Sequence, residues 1–388
     1  MNLDLNYRYK SLGDLIVSTD SNRCAIAVFG CALLTVFHVG SAIAAAPTIS
    51  RISTDFERNE ISISGVGFGS GPNVLLYDTF ESPGAATGAV ITLAASEEGA
   101  WTEFNQYYLP TYAGSGRSGS QSVKVFDGAT QNTNQLRLRF DGIQEFFVSY
   151  WVYLEGPKYF PGDLVSSPRT FSEDSSFKML WVFDTDVKGN SSDVVLPTHV
   201  GGGRFYLAGN DTNLVTGLSN DWWSWDQWMR VSFWLKANPE NPTNPGTIHF
   251  DTLSADKGYT QRVFNVPVFD SDGPAQKQFQ QMNFPGWIRS IKGSSTNILY
   301  DDIYVSTGPN SAARVELGNA AYLDDVTQLE LLTIDSWTDT DIQASASTVE
   351  EGSMQKFYLY ITDSSGETNA QGIPLESPPS QIKSFEVD

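Results

Sequence analysis

Two stretches decide the fold: Phe146-Phe147-Val148-Ser149-Tyr150-Trp151-Val152-Tyr153 and Trp228-Met229-Arg230-Val231-Ser232-Phe233-Trp234-Leu235-Lys236. Successive side chains of an extended strand point to opposite faces. Phe146, Val148, Tyr150 and Val152 then share one face of the first stretch, and Met229, Val231, Phe233 and Leu235 one face of the second. The opposite faces carry Phe147, Ser149, Trp151 and Tyr153, and Trp228, Arg230, Ser232, Trp234 and Lys236. One face is apolar throughout, and the other mixes aromatic, hydroxyl and basic groups. This pattern predicts strands of a β-sandwich, with the first face turned to the core.

The same alternation recurs outward in both directions. In 135–140 it gives Leu136, Leu138 and Phe140 to the core and Gln135, Arg137 and Arg139 to the other face. In 177–183 it gives Phe177, Met179, Trp181 and Phe183 to the core and Lys178, Leu180 and Val182 to the other face. Period-two runs also occur at 61–64, 122–125, 204–207, 298–305 and 357–361. They are bounded by Gly, Asn, Asp and Pro, with no helical period between them. The predicted fold class is all-β, with its longest loops at about 155–176 and 237–247.

Composition narrows the functional classes. The chain has 388 residues, with 24 Lys plus Arg against 45 Asp plus Glu and a net charge of -21. Such a chain repels a phosphate backbone, so nucleic acid is not an expected partner. Only 18% of residues are charged, while 13% are aromatic and 33 are Gly, a balance suited to an extracellular β-protein.

Both cysteines, Cys24 and Cys31, lie in the apolar stretch from Cys24 to about Ala46. Arg23 precedes it, and Ser41-Ala42-Ile43-Ala44 supplies the small residues a signal peptidase needs. Residues 1–44 read as a signal peptide, with a retained N-terminal anchor as the alternative. The mature chain is then cysteine-free, with no disulfide and no thiol chemistry. The expectation is a secreted protein that does not engage the membrane after cleavage, with the periplasm or cell surface as other destinations.

Two terminal segments read as halves of one module. Ile61-Ser62-Ile63-Ser64-Gly65-Val66-Gly67-Phe68-Gly69 resembles the opening of an IPT/TIG immunoglobulin-like domain. The continuation of that family appears far downstream, as Arg314-Val315-Glu316-Leu317-Gly318, Ser336-Trp337-Thr338-Asp339-Thr340-Asp341-Ile342 and Phe357-Tyr358-Leu359-Tyr360-Ile361. The resemblance implies a discontinuous sandwich, 47–72 plus 311–377, with Ile61–Ser64 and Phe357–Ile361 close together in one sheet, and a tail at 378–388. Two incomplete modules are the alternative.

The insert, 73–310, resembles concanavalin A-like jelly rolls of lectins, laminin-G-like modules and polysaccharide lyases. The residues behind this are Asp78-Thr79-Phe80-Glu81, Gly119 to Val125, Phe177 to Trp181, Gln227 to Ser232 and Tyr300-Asp301-Asp302-Ile303-Tyr304-Val305. The resemblance implies a fold rather than an activity. The insert is expected to fold alone.

Sugar rings stack on Trp and Tyr, and their hydroxyls and carboxylates accept from Arg and Lys. The second strand face therefore reads as a saccharide groove carrying Arg137, Arg139, Trp151, Tyr153, Lys178, Arg230 and Trp234. Trp222 and Trp225, from the run Asp221 to Trp228, join it on a loop. An ordinary solvent-facing sheet is the alternative. For β-elimination of a uronate the candidates are Lys178, His199, Arg230 and Tyr153, as base or carboxylate neutraliser. No R-x-E-x-x-R or Q-x-H block, paired-carboxylate strand, nucleophile elbow, phosphate loop or zinc spacing is present. No cofactor is expected, except that calcium suits the oxygens of Asp184, Asp186, Asp270 and Asp272. The expectation is a secreted binder of a polysaccharide or cell-surface glycan. A divergent polysaccharide lyase and an adhesin-like structural protein are the alternatives.

Overall fold

A computed structural model describes residues 47–375 with breaks, the longest at 155–170, 185–192, 207–216, 238–245 and 266–277. Residues 1–44, expected to be a signal peptide, and the 378–388 tail lie outside the described residues. Among those described, the regular structure is β-strand, with short 3-10 turns at Leu323–Asp325 and Met354–Lys356. No helix is long and apolar enough to cross a membrane among them.

The centre is a ten-stranded antiparallel sheet built on Glu145–Leu154. Trp228–Ala237 pairs on one side of it, with Phe147 opposite Trp234 and Trp151 opposite Arg230. Asn297–Thr307 pairs on the other side. Gly246–Ser254 and Gly258–Asn265 extend the first flank, and Asn73–Asp78 and Ser122–Asp127 the second.

A five-stranded sheet packs against the inner face: Glu103–Phe104, Leu136–Ile143, Phe279–Phe284, Trp181–Asp184 and Asp193–Val194. Phe146, Val148, Tyr150, Val152, Met229, Val231, Phe233 and Leu235 meet Leu136, Leu138, Val182, Met282 and Phe284 in one buried cluster. Each such side chain contributes about 1.5–3 kcal/mol by leaving water. The inner faces of 135–140, 146–153 and 228–236 are those the alternation assigns.

The run 177–183 differs from its reading. It is two strands, Phe171–Lys178 and Trp181–Asp184, which belong to different five-stranded sheets. Between them Met179 and Leu180 both enter the core. The partner chain breaks at the same level, at Pro285 and Gly286: Trp181 pairs with Asn283, but Lys178 pairs with Trp287. Proline cannot donate to the ladder, and the extra residue inverts the phase of alternation. Leu180 and Val182 are fully buried, while Trp181 and Phe183 sit half-buried on the outer face. The strand at 171–178 also occupies part of the expected 155–176 loop. Its sheet continues through Trp287–Ile291, His199–Gly201, Arg204–Tyr206 and Gly217–Leu218.

Two four-stranded sheets enclose a second core. Thr48–Asp55 and Glu60–Val66 join Asp341–Ser345 and Thr333–Trp337 in one. Leu329–Leu331, Arg314–Gly318, Tyr358–Thr362 and Ile373–Pro374 form the other. Ile61, Ile63 and Phe68 are buried with Val315, Leu317, Ile342, Leu359 and Ile361. Trp337 Nε1 donates to the Phe68 carbonyl at 3.3 Å, and the Gly69 amide to Asp339 Oδ1 at 2.9 Å. Ile61–Ser64 and Phe357–Ile361 thus lie across one core in two sheets, not in one sheet as expected. A strand pairs edge to edge with only two neighbours, and Glu60–Val66 already has Thr48–Asp55 and Asp341–Ser345.

The sheet containing Arg314–Gly318 lies against the outer face of the ten-stranded sheet. Trp151 and Leu253 pack with Val326, Leu329 and Tyr360, and Tyr77, Phe147, Trp234 and Tyr304 pack with Ala312.

Candidate functional site

That covering sheet corrects the groove reading at three positions. Trp151, Arg230 and Trp234 share the predicted face, but they are only 6%, 2% and 8% exposed. Arg230 Nε donates to Ser149 Oγ at 2.8 Å, and its Nη2 to Glu316 Oε1 at 2.5 Å. Burial pushes the Glu316 carboxyl up, but Arg230 and Arg314 outweigh it and hold it below its ordinary value. Trp151 lies under the Arg117 guanidinium, 4.3 Å from ring centroid to carbon, and Arg117 itself pairs with Asp302 and Glu330. Trp234 Nε1 donates to Glu145 Oε1 at 3.1 Å. These three side chains join two sheets and cannot meet a polymer.

The accessible counterpart is the outer face of the first five-stranded sheet. Cross-strand register lines up Glu103, Arg137, Asn283 and Trp181 in one row. Arg139, Gln281 and Phe183 form the next. Neighbouring strands lie about 4.8 Å apart, so the four residues of the first row span roughly 14 Å. Trp181 and Phe183 stack at 4.8 Å with an interplanar angle of 24°. At the other end Arg137 and Arg139 both donate to Glu103 Oε1, at 3.0 and 2.9 Å. These hydrogen bonds, that from Arg137 foremost, hold the Glu103 carboxyl below its ordinary range.

Arg137 is aimed by its neighbours. Its Nη2 donates to Gln135 Oε1 at 3.0 Å, and Gln135 in turn donates to the Gly286 carbonyl. Arg137 Nε is itself buried, with no partner among the described residues. Between the arginines and the aromatics, Gln281 Nε2 donates to Asn283 Oδ1 at 2.8 Å. The face offers an aromatic platform, the Gln281 amide and two guanidinia within one array, with Asn283 buried at 3% exposure beneath them.

Arg137 and Arg139 were legible from the sequence. Glu103, Gln281, Asn283, Trp181 and Phe183 were missed. The polar Gln281 and Asn283 beside buried Met282 were a signal, but the inverted phase at Met179–Leu180 hid the two aromatics.

Tyr153 is half-buried on the opposite side of the sandwich, at the end of the ten-stranded sheet beyond the covering sheet, 5.5 Å from the Trp228 ring. Lys178 and His199 are direct register partners, with Trp287 opposite Lys178 and Tyr206 opposite His199. Their side chains, like Trp222, Trp225, Asp186, Asp270 and Asp272, lie outside the described residues. Asp184 ends its strand opposite Phe279, and its side chain also lies outside them. No group of three or more His, Cys, Asp or Glu placed to hold a metal occurs among the described residues.

No family model matches this chain, and no curated protein does. Solved structures do. Alginate lyase vAL-1 from Chlorella virus is 14% identical with a TM-score of 0.33, over 57% of this chain and 100% of that one. Alginate lyase Aly36B is 12% identical with a TM-score of 0.34, over 61% and 97%. Arcelin-5, a lectin-like defense protein from Phaseolus vulgaris, is 7% identical with a TM-score of 0.28, over 54% and 96%. At this degree of likeness the site is read from its own residues.

Proposed function

We propose that this protein is an exported glycan-binding protein that holds an acidic polysaccharide along the outer face of the Glu103–Arg137–Asn283–Trp181 row. The observation that carries this reading is the row itself, with its companion Arg139–Gln281–Phe183. Trp181 and Phe183 present rings to the C–H face of a sugar, and Gln281, steadied from below by the buried Asn283, presents its amide to hydroxyls. Two guanidinia face a single carboxylate, which leaves local positive charge in a chain of net charge -21. A uronate carboxylate would accept from the exposed parts of the Arg137 and Arg139 guanidinia.

In this reading the large sandwich is a concanavalin A-like jelly roll inserted into an IPT/TIG-like module, whose two halves are stitched by the Phe68–Trp337 and Gly69–Asp339 contacts. A second reading, a polysaccharide lyase, is favoured by the register row Trp287–Lys178–His199–Tyr206, which brings a neutraliser and two candidate bases to neighbouring strands.

The test is a polysaccharide panel followed by affinity electrophoresis, with an absorbance assay for unsaturated uronates in parallel. Retention by a uronate polymer, weakened in Arg137→Ala and Trp181→Ala at unchanged melting temperature, is expected. Failure to bind any polysaccharide, or binding indifferent to both substitutions, overturns the proposal. Double-bond formation favours the lyase reading.

A further inference from the structure

A second concavity lies on the other side of the sandwich, where the covering sheet ends. Register across the ten-stranded sheet lines up Trp228, Tyr153, Leu299, Lys124 and Thr111 in one row. This is the same outer face that is sealed at Trp151 and Arg230. Trp228 packs at the edge of the cluster that holds Trp151, Val326 and Leu329. Beyond it no described strand covers the row, which borders a cleft of about 490 Å³.

Ligand sites for small molecules are clefts of roughly 300–1,000 Å³ with an apolar floor and a few convergent polar groups. This cleft fits that description. Tyr153 and Trp228 meet at 5.5 Å and 58°, so their rings form a notch rather than a flat stack. Lys124 and Thr111 of the row, with Ser115 and Asn297, supply the cleft's polar lining. A notch of two rings with hydroxyls, an amide and one ammonium matches the chemistry of one or two sugar rings bearing a carboxylate. A flat platform accepts the middle of a polymer, whereas a cleft of this size takes a short chain or a chain end.

We infer that the Tyr153–Trp228–Lys124 cleft is a second saccharide site, which binds a short acidic oligosaccharide or chain terminus independently of the Arg137 face. The two sites lie on opposite outer faces of the sandwich, so one polymer chain cannot lie flat across both. The arrangement would let the protein bridge two chains.

The experiment uses the full mature chain and saturation-transfer-difference NMR with trigalacturonate and, as the neutral control, cellotriose. The starting variant carries Arg137→Ala and Trp181→Ala, which silence the first face. Trigalacturonate signal is expected to persist in it and to disappear on adding Ser115→Trp, which fills the cleft from its exposed rim and leaves Trp228 in place. Lys124→Met is expected to weaken trigalacturonate binding about fivefold, the equivalent of roughly 1 kcal/mol for one lost charged contact. No signal in the starting variant overturns the second site while leaving the first proposal standing on the parent protein. Persistence of the signal after Ser115→Trp overturns it as well. Equal binding of cellotriose overturns the preference for an acidic sugar.

Discussion

Arg230 and Glu316 form a buried ion pair, Nη2 to Oε1 at 2.5 Å, that joins the central strand pair of the large sandwich to the terminal module. The pair is not isolated. Arg314 Nε donates to Glu316 Oε2 at 3.0 Å, and Ser149 accepts from Arg230. Asp251 lies close enough to feel Arg230, although burial, the larger effect, pushes its carboxyl up. A charge removed from water this completely is tolerated only while its partner remains.

Removing one partner should therefore cost more than removing both. Arg230→Met or Glu316→Leu alone is expected to destabilise by about 3–5 kcal/mol. The double variant should lose less than the sum of the two. Urea unfolding of all four proteins gives the cycle. Additive losses would show that the pair is not coupled.

Trp234→Ala and Phe233→Ala should both destabilise the fold, each by about 3–5 kcal/mol. Phe233 faces the inner core, and Trp234 faces the covering sheet. Gly366, at φ 86°, leaves no room for a side chain: an added Cβ would lie 2.4 Å from the Trp234 ring. Thermal melting checks both substitutions, and a Trp234→Ala protein that melts like the parent would contradict the burial.

Truncation after Asn310 should abolish cooperative folding. It would uncover Phe147, Trp151, Arg230, Trp234 and Tyr304 and strip Arg230 of Glu316. The expectation from sequence that 73–310 folds alone is thus replaced by its opposite. Differential scanning calorimetry of the truncated chain decides, and a single sharp transition near that of the parent would refute the dependence.

Asp78 predicts a pH dependence. Burial, opposed by hydrogen bonds from Trp101 Nε1 and the Phe80 amide, pushes its carboxyl from 3.8 to about 7. The folded state binds the proton more tightly than the unfolded one. Its contribution is therefore complete below about pH 4 and is lost as pH rises through about 7. The span is on the order of 4 kcal/mol. Asp78→Asn should remove that slope while lowering the baseline, since its amide nitrogen cannot accept from Trp101. Guanidinium midpoints between pH 4.5 and 8 test this, and parallel curves for the two proteins would refute it.

On the proposed binding face, Trp181→Ala should weaken uronate polymer binding by about 1 kcal/mol without unfolding the protein. Trp151→Ala should unfold it without revealing any role in binding. Affinity electrophoresis paired with melting curves separates the two, and the reverse outcome would restore the original groove.

The inner faces of 135–140, 146–153 and 228–236 were legible in the sequence because alternation is a property of one strand and needs no partner. The outward placement of Arg137 and Arg139 was legible for the same reason. Whether an outward face meets water or another sheet is decided by residues far away. Arg230 reads the same in sequence whether it faces a sugar or Glu316, and nothing local to Trp234 announces Gly366. The two rows on the proposed binding face exist only through register among four strands, and the platform of Trp181 and Phe183 depends on the phase shift at Met179–Leu180, where two residues oppose the three from Phe284 to Gly286. Local chemistry set which side chains share a face, but only the packing of sheet on sheet decided which of those faces stayed open, because burial depends on what lies opposite.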